Sequence, residues 1–432
     1  MASKSKEYNI IFNSTITNPF YNISGPTIKN QLDSCQIIKN GAIAYTDVIL
    51  SIGDQEKVLK EYSKSGASEI LDAKGKLVLP GFIDSHTHIS FVGSREKELE
   101  WKINGLSYLD IASRGGGILS STKRTREASL EEMIIENKSY LDRMLLSGTT
   151  TIEAKSGYGL ETKTELKQLE VIHQLDNIHP IKIYPTFLGA HAIPENSNSE
   201  EYTQLILDEM LPAVKKQNIA QFIDVFCEKG YFSVEQSREI IEKGVEFGLK
   251  PKIHVDEIAE NFKGSELAAE MNSLSADHLL QISSQGIMDL ANKSVIGNLL
   301  PGTPFVLRMK EYPPARKMIE KGVPISISSD FNPNCMLTSM LTVMTLSSYQ
   351  MGMKPMETLT AATINGAWSI NQAKNIGSLT PGKKADILIL DVPNIHFIAY
   401  YLGQNDILHV IKNGTKVVDN KKLIYESEIP NQ

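Results

Sequence analysis

The sequence predicts an α/β fold: a (β/α)8 TIM barrel with a small β-sandwich domain built from both termini. Between residues 181 and 330, short β-branched segments alternate with helical patterns, which is typical of repeated βα units in a parallel sheet. Both ends of the chain instead show short alternating strands with Gly and Asn turns, a pattern that favours hairpins. The chain has 432 residues, and a single barrel takes roughly 250, so there is room for a second, smaller domain.

Eight segments of strand length and composition predict the barrel. They are residues 77–84, residues 148–154, and the runs IKIYPTF, QFIDVF, PKIHVD, SADHL, VIGNLL and PISISSD. The segments between them, such as SVEQSREIIEKGVEFG, place apolar residues at helical spacing. Eight parallel strands close naturally into a barrel. Within one of the helical segments, Thr162 and Glu165 have the spacing of a capping box, which predicts a helix start there.

Three domain segments follow from this division of the chain. Residues 1–76 form the first part of the predicted sandwich, residues 77–377 form the barrel, and residues 378–432 form the second part. The C-terminal part contains the strand-like segments ADILILD and HVIKNGTKVVDNKKLI. Because strands from both termini enter one domain, we expect the barrel to be inserted between its two halves.

Composition and charge narrow the functional class. Apolar residues make up 41% of the chain and charged residues 22%, as in ordinary globular proteins. The formal net charge of -7 argues against nucleic acid as a partner. It leaves a small acidic substrate possible, because a few local arginines can outweigh the average field.

The cysteines and the N-terminal segment bear on location. Cys35, Cys227 and Cys335 are too few and too scattered for a disulfide framework or a thiolate zinc site, which favours a reducing compartment. The segment MASKSKEYNIIFN lacks the apolar region of a signal peptide. No apolar run approaches the roughly 20 residues that span a bilayer. We therefore expect a cytoplasmic protein with no membrane partner.

Candidate site residues lie at the C-terminal ends of predicted strands, where barrel enzymes carry their active sites. His86 and His88 end the first strand, and residues i and i+2 of a strand face the same side. His254 ends the fifth strand, His278 the sixth and Asp330 the eighth. Each residue alone also fits an ordinary buried polar group. Together, imidazoles with a carboxylate suit zinc or iron, so we predict a metal site.

This pattern resembles the amidohydrolase superfamily, which places HxH, HxxE, H and D on strands 1, 5, 6 and 8. The tail from Gly377 to Asp386 and the segment TLTAATINGA resemble its C-terminal elements, so the resemblance covers nearly the whole chain. Binuclear members carry a bridging carboxylated lysine on strand 4, whereas Lys229 lies beyond the end of that strand here. The resemblance thus implies one divalent or trivalent ion, zinc or iron, held by His86, His88, His254 and Asp330. It also implies a homodimer.

More specific stretches resemble the imidazolonepropionase family within that superfamily. They are FVGSRE, SRGGGI followed by TR, AKSGYGL, TFLGAHAIP and DFNP. The resemblance implies a small-molecule substrate, 4-imidazolone-5-propanoate, whose lactam C–N bond is hydrolysed to N-formimino-L-glutamate in histidine degradation. In that reaction Asp330 would take a proton from water, and His278 would orient the water or polarise the carbonyl. Glu257 would contact the substrate and protonate the leaving ring nitrogen.

Substrate contacts are implied after the first two predicted strands, on the third, and in the loop after the eighth. Arg95 can clamp a carboxylate bidentately, Tyr158 can donate its hydroxyl, and His191 can hydrogen-bond the polar ring. The loop after the eighth strand supplies three more candidates, Asn332, Asn334 and Cys335. Asn332 matches the family, whereas many members have Gly and then Ser or Thr at the last two positions.

Two other functions remain open from the sequence. One is an aminohydrolase acting on a purine or pyrimidine such as guanine or cytosine, substrates that lack the carboxylate arm. The other is a non-catalytic scaffold that keeps the barrel but works through interactions. Such relatives commonly lose metal-binding residues, and here the full set is present.

Overall fold

The computed structural model describes residues 8–106, 110–111 and 114–425. Residues 1–7 of the predicted N-terminal segment, Ser113 of the SRGGGI stretch and residues 426–432 lie outside the described residues. Within the described ranges, no helix is both long enough and apolar enough to cross a membrane.

Strands from both ends of the chain form one mixed sheet. Its strands are β1 (Tyr8–Pro19), β2 (Cys35–Tyr45), β3 (Ile49–Asp54), β4 (Ala67–Asp72), β5 (Leu77–Pro80), β15 (Ile387–Leu390), β16 (Ile407–Lys412), β17 (Thr415–Asp419) and β18 (Lys422–Leu423). Their order is β18-β17-β16-β15-β5-β1-β2-β3, with β4 paired to β1. The antiparallel pair of β15 and β5 joins the C-terminal strands to the N-terminal ones. The expected domain built from both termini is therefore present.

The second sheet is the barrel, and all of its strand pairs are parallel. Its strands are β6 (Phe82–Thr87), β7 (Thr149–Lys155), β8 (Lys182–Ala190), β9 (Phe222–Cys227), β10 (Lys250–Pro251), β11 (Ile253–Val255), β12 (Ser275–His278), β13 (Ile296–Leu299) and β14 (Ile325–Ile327). The short β10 pairs with β9 immediately before β11. Where β14 returns to β6, a bridge joins Thr87 to Phe331, and His88 N donates to Phe331 O at 2.8 Å. The barrel prediction is confirmed.

The helices lie mainly in the connections between barrel strands. They are Gln55–Glu61, Glu98–Ile103, Gly117–Glu127, Leu130–Leu146, Thr162–Ile178, Ser199–Leu205, Leu211–Gln217, Val234–Glu246, Gly264–Glu270, Ser284–Lys293, Gly302–Val306, Ala315–Lys321, Met340–Met351, Pro355–Ala361, Ile364–Ser369 and His396–Tyr400. Short 3-10 helices occur at Lys29–Asp33 and Lys64–Gly66, and a π-helical turn at Ile206–Met210.

The prediction of one barrel strand over residues 77–84 is wrong. Leu77–Pro80 pairs with β1 and β15 in the terminal sheet, and the barrel begins at Phe82–Thr87. The chain changes sheets at Gly81, whose N–H donates to Asp386 O at 2.9 Å. Both strands are buried, and the Pro80-Gly81 pair between their apolar residues marks the break that the prediction of one strand missed.

The predicted capping box at Thr162 and Glu165 is also wrong. The helix Thr162–Ile178 follows Glu161, which provides no side-chain cap. The carboxylate of Glu165 instead accepts hydrogen bonds from the preceding loop at the barrel mouth. A capping box forms where Ser129 precedes Glu132, with both reciprocal bonds present.

Candidate active site

Three imidazoles meet at the C-terminal end of the barrel. His86 Nε2 lies 3.3 Å from His88 Nε2, which lies 3.3 Å from His254 Nε2. All three side chains are buried. The two-residue spacing on β6 turns His86 and His88 to the same side, and β11 brings His254 to them although it is more than 160 residues away in the chain. The structure thus places together the three histidines predicted as ligands.

Two buried carboxylates orient two of these rings. Asp277 Oδ2 lies 2.5 Å from His86 Nδ1. Asp224 Oδ2 lies 2.9 Å from His254 Nδ1, at an angle outside that of a regular hydrogen bond. A carboxylate beside Nδ1 favours the proton on that nitrogen and leaves a lone pair on Nε2. Burial, reinforced by the Lys155 charge, holds the pKa of His86 well below its usual value, so the ring is neutral and its lone pair faces the other rings.

Asp330 adds a carboxylate oxygen to the same point. Its Oδ1 lies 3.3 Å from His88 Nε2 and 3.6 Å from His86 Nε2. This oxygen is buried and has no hydrogen-bond partner among the described residues, while Oδ2 accepts from Thr303. Burial opposes its ionisation, yet His88 and His278 hold the pKa of Asp330 below its usual range. A buried anionic oxygen beside imidazole lone pairs is the donor set that a metal cation requires.

A charged network that the sequence did not predict lies beside the histidines. Lys155 Nζ lies 2.7 Å from Glu153 Oε1 and 2.8 Å from Asp224 Oδ2, and all three side chains are fully buried. Burial alone would raise the pKa of Asp224, but His254 and Lys155 hold it well below its usual value. This network could have been suspected from the sequence, because charged residues stand inside strands whose other residues predict burial.

Glu257 and His278 face each other across the site. His278 Nε2 lies 3.8 Å from Glu257 Oε2. Burial lowers the pKa of His278 to about 3, so its ring is neutral. Burial, together with the charges of Asp330 and Glu228, raises the pKa of Glu257 well above its usual value. The neutral imidazole can donate a hydrogen bond, and the raised pKa of Glu257 favours the protonated carboxyl group, which can donate a proton.

These side chains border a cavity of about 770 Å³, of a size typical for small-molecule sites. Tyr158 and His191 lie on its wall, as predicted for substrate contacts. The His191 ring stacks on His88 with centroids 4.8 Å apart, and the Tyr158 ring lies edge-on to His191 at 5.3 Å. Burial holds the pKa of His191 well below its usual value. The cavity therefore has a neutral, aromatic side next to the cluster of His86, His88 and His254.

The loop that carries Tyr158 is held by Glu165. Backbone N–H groups of Gly157, Gly159 and Leu160 donate to its carboxylate at 2.9, 2.8 and 2.8 Å. Glu165 is fully buried, and burial raises its pKa. The loop places Gly157 O against His191 Nδ1 at 2.9 Å. Glu165 thereby helps to position Tyr158 and His191, the two residues predicted as substrate contacts. The sequence predicted a capping role for Glu165 instead.

Arg95 lines the cavity, but part of its guanidinium is already used. Its Nε and Nη2 donate to Glu98 at 2.8 and 2.6 Å, and both side chains are buried. Glu98 also accepts from the backbone N–H of Gly117 at 2.9 Å. Arg95 was predicted to clamp a ligand carboxylate with two hydrogen bonds. The Nε and Nη2 edge of its guanidinium already makes such a pair with Glu98. Glu98 was not predicted, because its role depends on a pair formed within the helix start.

The three residues predicted on the loop after β14 lie in different environments. Asn332 donates to Asp330 O and accepts from the N–H groups of Asn334 and Cys335, so its side chain is committed to the turn. Asn332 and Asn334 both line the cavity. Cys335 is fully buried, and its thiol lies 3.7 Å from Ser329 O. The structure does not bring the Cys335 side chain to the cavity wall.

Comparison with known proteins places the chain among amidohydrolases. A model described as the amidohydrolase family matches residues 212–417. A second amidohydrolase family model matches residues 69–106, the segment that contains the HxH motif.

Curated relatives match nearly the full chain. An imidazolonepropionase of Alkaliphilus metalliredigens (strain QYMF) is 48% identical over 406 residues, covering 93% of this chain and 96% of the relative. An imidazolonepropionase of Geobacillus kaustophilus (strain HTA426) is 46% identical over 405 residues, covering 93% and 95%.

Solved structures share the fold at low sequence identity. An adenosine deaminase from Xanthomonas campestris with bound zinc has a TM-score of 0.71 at 14% identity and covers 97% of this chain and 94% of its own. Guanine deaminase of E. coli has a TM-score of 0.70 at 14% identity, covering 96% and 100%. At such identities the likeness concerns the fold alone.

Proposed function

The chain belongs to the imidazolonepropionase family of amidohydrolases, and on that premise we propose that it hydrolyses the lactam C–N bond of 4-imidazolone-5-propanoate to N-formimino-L-glutamate. One observation carries the assignment to this site: a single cavity is lined both by His88, His254 and Asp330 and by the guanidinium of Arg95. The polar ring of the substrate fits the side of the histidines and Asp330, and its anionic arm fits the side of Arg95.

We propose that His86, His88, His254 and Asp330 hold one metal ion, zinc or iron. The buried, unpartnered Oδ1 of Asp330 beside the imidazole nitrogens supports this donor set. A single ion is supported by the residues of β9, where Asp224 is paired with Lys155 and Lys229 is exposed beyond the strand. When bound, such an ion supplies Lewis acidity, which makes water more acidic and polarises a carbonyl oxygen.

Asp330 and His278 act on the side of the attacking water. Asp330 is ionised and faces the histidines, so its carboxylate takes the proton that the water loses as the water oxygen bonds to the lactam carbon. His278 is neutral, and its Nδ1 has no hydrogen-bond partner among the described residues. It therefore can donate a hydrogen bond to the oxygen on which negative charge develops.

Glu257 serves the leaving nitrogen. Its raised pKa favours the protonated form of the carboxyl group. As the C–N bond breaks, that proton passes to the ring nitrogen, and the electron pair of the bond stays on nitrogen. The proton held by Asp330 restores Glu257, and the second proton of the water leaves to solvent as the new carboxyl group ionises. Glu257 is thus a contact and a proton donor.

Arg95, Tyr158 and His191 hold the substrate for this reaction. We assign the propanoate arm to the side of Arg95, whose guanidinium is fixed by Glu98, and the ring to His191 beside His88. Holding the reacting groups in line contributes several kcal/mol, as a rough scale, by removing the entropy of alignment. Asn332 and Asn334 line the cavity and remain candidate contacts on the loop after β14, whereas the N–H of Cys335 is bonded to Asn332 within the turn.

The two alternatives are less well supported. Guanine and cytosine lack a carboxylate to meet Arg95, and the similarity to E. coli guanine deaminase is 14% in sequence. A non-catalytic scaffold would not require the complete set of metal-binding side chains found here. We further propose a cytoplasmic homodimer.

The test follows loss of the ultraviolet absorbance of 4-imidazolone-5-propanoate, with the product identified by mass. Protein stripped with a chelator should be inactive and should recover with Zn²⁺ or Fe²⁺. His254→Asn should lose both metal and turnover, whereas His396→Asn, at an exposed histidine outside the barrel, should keep both. Turnover by metal-free protein contradicts the mechanism. Release of ammonia from guanine or cytosine, with no action on the imidazolone, contradicts the substrate.

A further inference from the structure

We propose that Lys102 supplies a second cationic contact to the carboxylate of the substrate and that Asn334 positions its ammonium group. This inference rests on the proposed function, because it assigns a specificity role within the same cavity. Lys102 lies on the helix Glu98–Ile103, one turn after the Arg95–Glu98 pair, and it lines the cavity together with Arg95 and Asn334.

The partners of Lys102 leave its charge unbalanced. Lys102 is only 8% exposed, and its Nζ donates to Asn334 Oδ1, a neutral acceptor. Among the described residues, no carboxylate lies within ion-pairing distance of this Nζ. A buried ammonium without an anionic partner is costly, so a residue kept in this state at a cavity wall points to an anion that arrives from outside.

The local charge count leads to the same conclusion. Arg95 and Lys102 carry two positive charges, and Glu98 carries one negative charge that is already in a bidentate pair with Arg95. Within the described residues, the Lys102 ammonium is bonded to a neutral amide oxygen, whereas the Arg95 guanidinium is bonded to a carboxylate. Burial and the Arg95 charge lower the pKa of Lys102, whereas Glu98 raises it. A ligand carboxylate would pair with the Lys102 charge, and a neutral arm would not.

Asn334 determines where the ammonium group lies. Its backbone N–H is bonded to Asn332 Oδ1 at 2.8 Å, so the turn fixes the residue. Its side-chain oxygen then faces Lys102 across the gap between the loop after β14 and the helix Glu98–Ile103. Glycine at this position would offer Lys102 no side-chain acceptor. Asn334 is therefore a positioning residue, and Lys102 is the contact.

The experiment compares two substrates that differ only in the charge of the arm. Lys102→Met keeps the length of the side chain and removes its charge. For 4-imidazolone-5-propanoate we expect KM to rise about tenfold or more, with a smaller change in kcat. For the propanamide analogue, which carries no charge, we expect KM and kcat within about twofold of the wild type. Lys102→Arg should restore much of the KM for the propanoate.

Asn334→Asp provides an independent variant that keeps Lys102. The new carboxylate is isosteric with the amide and pairs with the ammonium group, so it competes with the substrate. We expect KM for the propanoate to rise several-fold more than KM for the propanamide. Lys97→Met is the matched control, because Lys97 is exposed on the same segment and should leave both substrates unaffected.

The outcomes separate this inference from the proposed function. Equal losses for both substrates in Lys102→Met and Asn334→Asp would show that the pair only supports the fold, and would overturn the inference. Unchanged KM for the propanoate in both variants would also overturn it. If the wild type does not act on 4-imidazolone-5-propanoate at all, the proposed function itself fails. A loss confined to the propanoate supports both.

Discussion

Gly157 brings the main chain against His191 at the wall of the cavity. Its φ of +111° is rarely adopted by residues with a side chain. A Cβ at this position would lie 2.9 Å from His191 Nδ1 and 3.0 Å from Leu188 O. Gly157 O also accepts the hydrogen bond that holds His191 Nδ1. The position therefore combines a backbone conformation, a close approach and a hydrogen bond.

Gly157→Ala should move His191 away from its contact with His88. We expect kcat/KM for the substrate to fall by at least about tenfold, with a destabilisation of about 1–3 kcal/mol from the strained backbone. Steady-state kinetics and thermal unfolding measure the two effects. Gly25→Ala is the control, because nothing lies within 4 Å of a Cβ there. Wild-type kinetics in Gly157→Ala would contradict this role.

At the scale of elements, Glu165 connects a helix start to the loop after β7. It accepts three backbone hydrogen bonds from that loop, and charge-assisted bonds to backbone N–H groups are stronger than neutral ones. The helix Thr162–Ile178 thus acts as a rigid support for Tyr158 and His191. Gln168 also accepts from the Tyr158 N–H, and Arg126 donates to the carbonyl oxygens of Gly159 and Leu160, so Glu165 holds the loop together with these two side chains.

Glu165→Gln should loosen that loop. A glutamine has one acceptor oxygen, and its NH₂ group would face backbone donors, so we expect a loss of about 1–3 kcal/mol in stability. Because Tyr158 and His191 lose their support, KM should also rise. Denaturant unfolding and kinetics measure these changes, with Glu161→Gln as the control at the neighbouring N-cap. Unchanged stability in Glu165→Gln would show that the loop holds its shape without the carboxylate.

Asp142 connects the helix Leu130–Leu146 to the end of the chain. It accepts from Tyr425, and Lys138 Nζ and His179 Nε2 lie 3.0 and 3.4 Å from its carboxylate. Partial burial would raise the pKa of Asp142, but hydrogen bonds from His179, Tyr425 and Lys138 hold it below its usual value. This depressed pKa means that the ionised form stabilises the folded state.

Asp142→Asn should therefore destabilise the protein in a pH-dependent way. We expect a loss of about 1–2 kcal/mol at pH 7. The gap to the wild type should stay constant above about pH 5 and narrow as the pH falls below about 4, where an unfolded aspartate binds its proton. Unfolding curves across pH measure it, with Glu131→Gln on the same helix as the control. A gap that widens in acid would contradict the assignment.

At the scale of the whole molecule, the proposed metal site joins strands from opposite sides of the barrel. His86 lies on β6 and His88 follows it, His254 lies on β11, and Asp330 follows β14 next to the point where the barrel closes. An ion bound by all four would cross-link these strands only in the folded state. Its binding energy therefore adds to global stability.

Removal of the metal should lower the melting temperature. A ligand at 100 times its Kd contributes about 2.7 kcal/mol, and the effect grows with concentration. We expect chelator-treated protein to melt at a lower temperature, and added Zn²⁺ or Fe²⁺ to restore it in a concentration-dependent manner. His254→Asn should melt at the same temperature with and without the ion. A melting temperature of the wild type that does not respond to the ion would exclude a site of useful affinity.

The barrel and the candidate metal-binding residues could be predicted from the sequence alone. Parallel strands joined by helices end at one face, so His86, His88, His254, His278 and Asp330 had to approach each other once eight strands were recognised. Strand periodicity also places His86 and His88 on one side. These features depend on local patterns and on topology, and both can be recognised in the sequence.

The tertiary structure decided the partners of these residues. The hydrogen bonds that Glu98 accepts from Arg95, and that Glu165 accepts from the loop after β7, use side chains whose spacing also fits a salt bridge on a helix surface or a cap. The change of sheets at Gly81 separates two short apolar segments, each of which suits either sheet. Which side chains form hydrogen bonds with one another depends on which groups are buried together, and burial is a property of the assembled fold. The sequence therefore determined where the site lies, and the packing determined which contacts hold it.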